Sequence, residues 1–451
     1  MFPYLVAGTR VMGWGLSKKQ REQLLVGCTL QSKNATKVAG RRGLAKRMKT
    51  PKLTSIDKGV QVVWPQGKHT VVVDVNAAAR SVCHGGVTSA MIIAKHVHAR
   101  AMADKPTSIV YVFDAFDQAL YPPQRKDLHA TRYAGKHLDY DAVATICKLL
   151  NIDTPQDVHM LDLVNRPLMS RMDLPWQQLF MNKDLKQFAF RLIATALRHT
   201  AVDRRTAVDI CLPSATHRCV VDGTGTTRVQ KEVGTDFGEG DLRCWHATLS
   251  AVNRGESVDV HSIDTDFLLM VMASVHLAPP PSKLVVTLKS GRYDGCKLIN
   301  MMMGPDTSLQ HRLNRAFWAM SFGTDYSNPL THNGYYTKGL LTLMMPGCDA
   351  DPLTVSPDGR HATFCLREAL RNLGALKSNA KKQAVVGKGK DSVTTTLKKM
   401  LFCLQYYGLM FVATPTSLFP PVVVLAPTQT YTFPITPNAD IIHQKQIYSV
   451  P

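Results

Sequence analysis

Seven acidic residues stand where the chain's pattern makes them candidates for chemistry. Asp74 closes the apolar run "HTVVVD" and Asp114 closes "SIVYVFD". "SIDTD" places Asp264 and Asp266 at the end of a third such run, and "FGEGDLRCW" places Glu239 and Asp241 before a helical stretch. "FGTDYSNP" adds Asp325 between a helix and a turn. Carboxylates separated by one residue project to the same side of an extended segment, so Asp264 and Asp266 can face one ion. A lone Asp after a strand is usually a helix cap or turn former, so the argument lies in the ordered combination. Carboxylates gathered without partners repel and raise one another's pKa, so a fold that assembles them needs cations. Hard oxygen donors select Mg²⁺, with Mn²⁺ able to substitute, over zinc. Two such ions about 4 Å apart activate a water and stabilise the leaving oxygen of a phosphodiester, which makes metal-dependent phosphodiester hydrolysis the expected reaction.

The elements that must position these acids alternate. "HTVVVDV" reads as a strand, followed by an Ala-rich helical stretch interrupted near Gly85 and Gly86, then the buried-strand run "SIVYVF" and a helix around Asp141–Leu150. After a helical insertion at about 150–200, a third strand is expected at "SVDVHSIDTD". This order predicts an α/β fold: a mainly parallel central sheet with helices on both faces, in which function gathers at the carboxyl ends of the strands. "KLVVTLK" and the residues to Leu298 read as a strand pair. "LQHRLNRAFWAMSF" reads as a helix with Leu313, Phe317 and Met320 on one face. A Lys-rich helix is expected at 392–412, and the Pro- and β-rich segment after it has no place in this scheme.

The chain has 451 residues and a formal charge of +20, a balance that suits a polyanionic partner. The excess is uneven. Residues 1–60 hold 13 Lys/Arg against Glu22 and Asp57, and residues 376–400 hold seven Lys against Asp391. The expected organisation is a basic, largely flexible arm over 1–60, a nuclease core over 61–345, and an extension over 346–451 with a basic helix and a Pro-rich tail. "GRRGLAKRMK" fits a nuclear signal as well as a solvated tail. Ten Cys without a CxxC pair fit reduced thiols, no apolar run reaches 18 residues, and Met1–Gly8 lacks a basic n-region. A protein that is neither membrane-spanning nor secreted is expected.

In residue order the chain resembles the flap endonuclease/XPG branch of the PIN-like 5′ nucleases. That family has a strand-end Asp, "VYVFDG" with a downstream PPQ…K…R segment, ExE, a DxD strand end and "LLGSDY"; this chain has VVVDVN, VYVFDAF, PPQRKDLHATR, GEGD, SIDTDFL and SFGTDYS across about residues 70–345. The resemblance implies a PIN-like three-layer fold with an additional C-terminal helical region. It implies two Mg²⁺ ions held by Asp74, Asp114, Glu239, Asp241, Asp264, Asp266 and Asp325. It also implies that Lys126 polarises the scissile phosphate while Arg132 steadies it, with Arg125, Lys338 and Gly334 as further nucleic-acid contacts. Cations across the phosphate from the metals would offset charge developing in the transition state. Two features depart from the family. "MGWGL" at Met12–Leu16 is one residue shorter than the family's opening segment, and "LTHNGYYTKGLL" keeps only Gly334 of its helix-hairpin-helix turn.

The expected function is therefore a structure-selective nuclease acting on DNA at a 5′ flap or single-strand/duplex junction. DNA is favoured over RNA, and a monomer in the nucleus or a viral replication compartment is expected. "GEGD" is also similar to the "GEGEH" segment of 5′→3′ exoribonucleases, and herpesvirus host-shutoff ribonucleases share the core. An RNA-directed nuclease is accordingly the alternative, with binding without catalysis as a second. "QKQIYSVP" lacks the aromatic pair of a sliding-clamp motif. A nucleotide-using enzyme would need a better phosphate loop than the Lys-free "GTGTTR" at Gly223–Arg228. Zinc is disfavoured because no two His sit four residues apart, which leaves His84, His96 and His98 as ordinary helix-face residues.

Overall fold

The computed structural model describes residues 55–56, 67–83, 87–114, 140–161, 167–201, 206–211, 217–221, 227–231, 240–262, 267, 270–271, 283–288, 291–295, 308–322, 330, 351–378, 393–408 and 430–434. The chain divides into two compact units. One comprises Met1–Val60 with Thr265–His443, the other Gln61–Asp264 with Gln444–Pro451.

The strands are numbered along the chain from β1 (Ser55–Ile56), a short piece of the first unit that falls inside the segment expected to be a flexible arm. In the second unit, β2 (His69–Asp74) is buried at every position. Its Val71–Val73 run suits a strand covered on both faces. It leads into α1 (Val75–Val82), the short strand β3 (Val87–Ser89) and α2 (Ala90–Ala101). The chain continues through β4 (Ser108–Val112), α3 (Tyr140–Leu150), β5 (Asp173–Pro175), α4 (Trp176–Met181) and α5 (Lys183–Ala201). β6 (Ala207–Cys211), β7 (His217–Val221), β8 (Thr227–Lys231), α6 (Gly240–Asn253) and β9 (Ser257–His261) complete it.

The sheet order across this unit is β9-β2-β4-β6-β7-β8. β2 pairs in parallel with β4 and with β9, and β4 in parallel with β6, whereas β7 and β8 are added antiparallel. The mainly parallel α/β sheet expected from the sequence is thus present. Alternation splits its side chains between two faces. Val71, Val73, Ile109, Tyr111, Val208 and Ile210 share one core with residues of α2, α3 and α5. Val72 and Val110 point the other way and are also buried, and α6 lies against β2, β4 and β9. His98 corrects one expectation. It is 1% exposed, with Nδ1 2.6 Å from the buried Tyr111 hydroxyl, so it is a core residue and not a helix-face one. His96 does lie exposed on α2.

The amino edge of the sheet is latched by a polar cluster. Thr70 Oγ1 donates to Glu256 at 2.6 Å and lies 2.5 Å from Ser108 Oγ, and Arg254 grips Glu256 through Nε and Nη2 at 2.9 and 3.0 Å. Because β8 follows β7 as an antiparallel strand, "GTGTTR" ends in a hairpin arm at Thr227 and Arg228 instead of opening the helix a phosphate loop requires.

In the other unit, β10 (Leu284–Leu288) and β11 (Gly291–Asp294) form the expected strand pair, and β1 adds to β11. α7 (Leu309–Ala319) buries Leu313 and Phe317 as its periodicity predicts. β12 (Leu353–Val355), β13 (His361–Cys365) and, after α8 (Leu366–Ser378) and α9 (Val393–Gly408), β14 (Thr430–Pro434) make a second, antiparallel sheet. Asn314 joins this sheet to α7. Its amide donates to Leu353 O at 2.7 Å and accepts from Leu353 N at 2.8 Å, as a neighbouring strand would. The Pro-rich tail unplaced by the sequence supplies β14, whose Phe433 is buried. Among the described residues no helix is long and apolar enough to cross a membrane.

Candidate functional site

Asp74 is both the last residue of β2 and the N-cap of α1. Its backbone is extended (φ −71°, ψ 101°), and Oδ1 accepts from Ala77 N at 3.0 Å. Its residue type explains the local turn from strand to helix, since a short carboxylate satisfies a first-turn N–H and suits the positive helix end. The side chain is nonetheless not a surface one, for Asp74 is 6% exposed.

Asp114 follows β4 by two residues and is half-buried. In the parallel register Asp74 stands level with Val112, so these strand ends lie roughly 5 Å apart, the usual spacing between neighbouring strands. Asp114 Oδ1 accepts the Gly240 N–H at 2.8 Å, which ties the end of β4 to the start of α6. Three residues on, the buried Arg243 donates to Phe113 O. Two contacts one turn apart therefore fix α6 over the carboxyl end of β4.

That placement brings in Asp241, in the first turn of α6. Burial, and then the negative charges of Asp74 and Asp241, push the thiol of the fully covered Cys244 well up, with Arg243 opposing. Both carboxylates thus act on one buried point beneath α6. Three of the seven expected acids, from three separate elements, meet at one edge of the sheet. The edge is also where the strand order reverses: the chain leaves β2 toward β4, while β9 returns through α6 to the other side of β2. In open α/β sheets the crevice at such a point is the usual ligand site.

The sequence treated Gly240 as a spacer between two acids and passed over Arg243, Asn76 and Cys244. "GEGD" carried a signal for the first, because a glycine opening a helix beside a strand end often permits close approach. A Cβ at Gly240 would lie 2.5 Å from Asp114 Oδ1. The strand β9 also contains a carboxylate that sequence reasoning missed, Asp259, which is fully buried with Oδ2 3.2 Å from His261 Nε2.

Glu239, Asp264, Asp266 and Asp325 lie outside the described residues, as do Arg125, Lys126, Arg132, Gly334 and Lys338. β9 ends at His261, three residues before Asp264 in the chain. Among the described residues no group of three or more His, Cys, Asp or Glu is arranged to hold a metal ion. The donor set at the Asp74 edge consists of carboxylate oxygens, the chemistry that fits Mg²⁺ or Mn²⁺ and not a thiolate-loving metal. Comparison with protein-family models and with curated proteins finds no match to this chain.

Proposed function

We propose that this protein is a metal-dependent nuclease of PIN-like fold, hydrolysing phosphodiester bonds at a 5′ flap or single-strand/duplex junction of DNA. One observation carries the reading: Asp74, Asp114 and Asp241 converge at the carboxyl edge of a parallel sheet, at its switch point, beside two helix N-termini. A site for polyanion chemistry inside a chain of charge +20 is the division of labour such an enzyme needs, with acids for cations and basic segments for phosphates.

In this reading Asp74, Asp114 and Asp241, joined by Glu239, Asp264, Asp266 and Asp325 from the ordered motif, hold a pair of Mg²⁺ ions. When bound, the pair supplies an ionised water and charge stabilisation at the leaving oxygen. The chain's own part is positional. Gly240 and Arg243 hold the end of β4 against α6, so Asp114 is presented with a restricted set of rotamers. The N-termini of α1 and α6 offset part of the negative charge when the cations are absent. Lys126 and Arg132 face the phosphate from the opposite side and stabilise the charge that develops on it. Lys338, Gly334 and Arg125 grip the backbone away from the scissile bond.

The test is a panel of flap, nicked, single-stranded DNA and RNA substrates, labelled at either end and incubated with Mg²⁺. Cutting should need the cation, and Asp264→Ala should abolish it while largely sparing binding. An alanine variant that cuts like the parent would refute the assignment. RNA cut in preference to DNA would move the protein to the exoribonuclease-like or host-shutoff-like reading.

A further inference from the structure

Asn76 occupies the second position of α1, two residues after Asp74, and is 5% exposed. Neither Nδ2 nor Oδ1 has a hydrogen-bond partner among the described residues. Buried side-chain amides in native proteins are bonded in the large majority of cases, and the exceptions point to water, an ion or a ligand. Val75 and Ala79, one turn apart, belong to the core shared with α2 and α5, whereas Asn76 and Ala77 are buried without belonging to it. Asn76 is therefore covered, polar and directed away from that apolar core, on the turn whose cap is Asp74.

From these observations we infer that Asn76 is a positioning residue for a hydrated divalent cation at the Asp74 edge. Ionised carboxylates offer only acceptors, so Asp74 cannot satisfy Oδ1 of Asn76. Water held by a cation can, because each such water has protons to donate. Nδ2 in turn donates to a carboxylate or phosphate oxygen. The amide thus reads the hydration shell and not the ion, which requires both of its functions at one place.

This inference rests on the proposed cation site, and the experiment separates the two. Mn²⁺ binding to the full chain is measured by calorimetry for the parent and for Asn76→Leu, which keeps the shape and removes both polar atoms. Thermal unfolding is followed in parallel with a chelator present. Asn76→Leu should be at least as stable as the parent without metal, since orphaned polar atoms are lost, yet bind Mn²⁺ about tenfold to a hundredfold more weakly. Opposite signs of the two effects are not what a merely structural residue gives. If Asn76→Leu does not fold, Asn76→Ser carries the test, with weaker Mn²⁺ binding expected. Unchanged affinity in the folded variant overturns the role of Asn76 alone. Failure of the parent to bind Mn²⁺ overturns the cation site and the inference together.

Discussion

The amide of Gly240 donates to Asp114 Oδ1 at 2.8 Å across 126 residues of sequence, and a Cβ at that glycine would stand 2.5 Å from the same oxygen. The contact that orients the carboxylate is thus also the contact that excludes every other residue at position 240. Gly240→Ala must either displace Asp114 or shift the start of α6. A cost of about 1–3 kcal/mol is expected, the range for overpacking a close contact. Urea unfolding midpoints measure it, and a drop in Mn²⁺ affinity should accompany it.

Asp74 has two tasks that substitution can divide. Asparagine caps a helix nearly as well as aspartate, while alanine loses the cap at a cost of about 1 kcal/mol. Asp74→Asn should therefore leave stability close to the parental value, and Asp74→Ala should lower it. Both should abolish Mg²⁺-dependent cutting. Parental cutting by Asp74→Asn, measured beside its unfolding curve, would leave Asp74 as a cap and nothing more.

Glu256 governs acid stability at the opposite edge of the sheet. Burial by itself would raise its pKa, but hydrogen bonds from Arg254 and Thr70 and the charges of Arg254 and Lys68 outweigh it and hold the carboxyl below its ordinary range. A depressed folded pKa contributes stability above the unfolded value, and that stability is lost as pH falls through the folded value. Glu256→Gln should cost about 1–3 kcal/mol at pH 7, the loss expected for a buried charge-assisted partner. The gap between variant and parent should narrow as denaturation is repeated below about pH 4, near the reference carboxyl pKa.

Thiol chemistry should report the burial of the acid-bearing edge. Cys244 is pushed well up by burial and by Asp74 and Asp241, and burial pushes Cys83 up to about 12. Thiolate is the reactive form, so both should resist maleimide at pH 8 in the native protein and label once urea is added. Rapid native labelling at Cys244, mapped by mass spectrometry, would mean that the covering by α6 is loose.

The sequence by itself determined the strands β2, β4 and β9, because runs of β-branched residues ending in Asp have few other stable uses in a chain this long. It also determined the faces of α7, since Leu313 and Phe317 recur at the helical period and a buried helix must hide them. Three acids, Asp74, Asp114 and Asp241, could be named from pattern alone. What pattern could not show was how they are held. The bond from Gly240 to Asp114, the latch from Arg243 to Phe113 and the orphaned amide of Asn76 depend on which elements become neighbours, and a glycine, an arginine and an asparagine carry no period. The antiparallel strands β7 and β8, and β14 from a Pro-rich tail, were equally illegible. Edge strands draw their stability from a partner's free backbone groups, and those exist only once the rest of the sheet has formed.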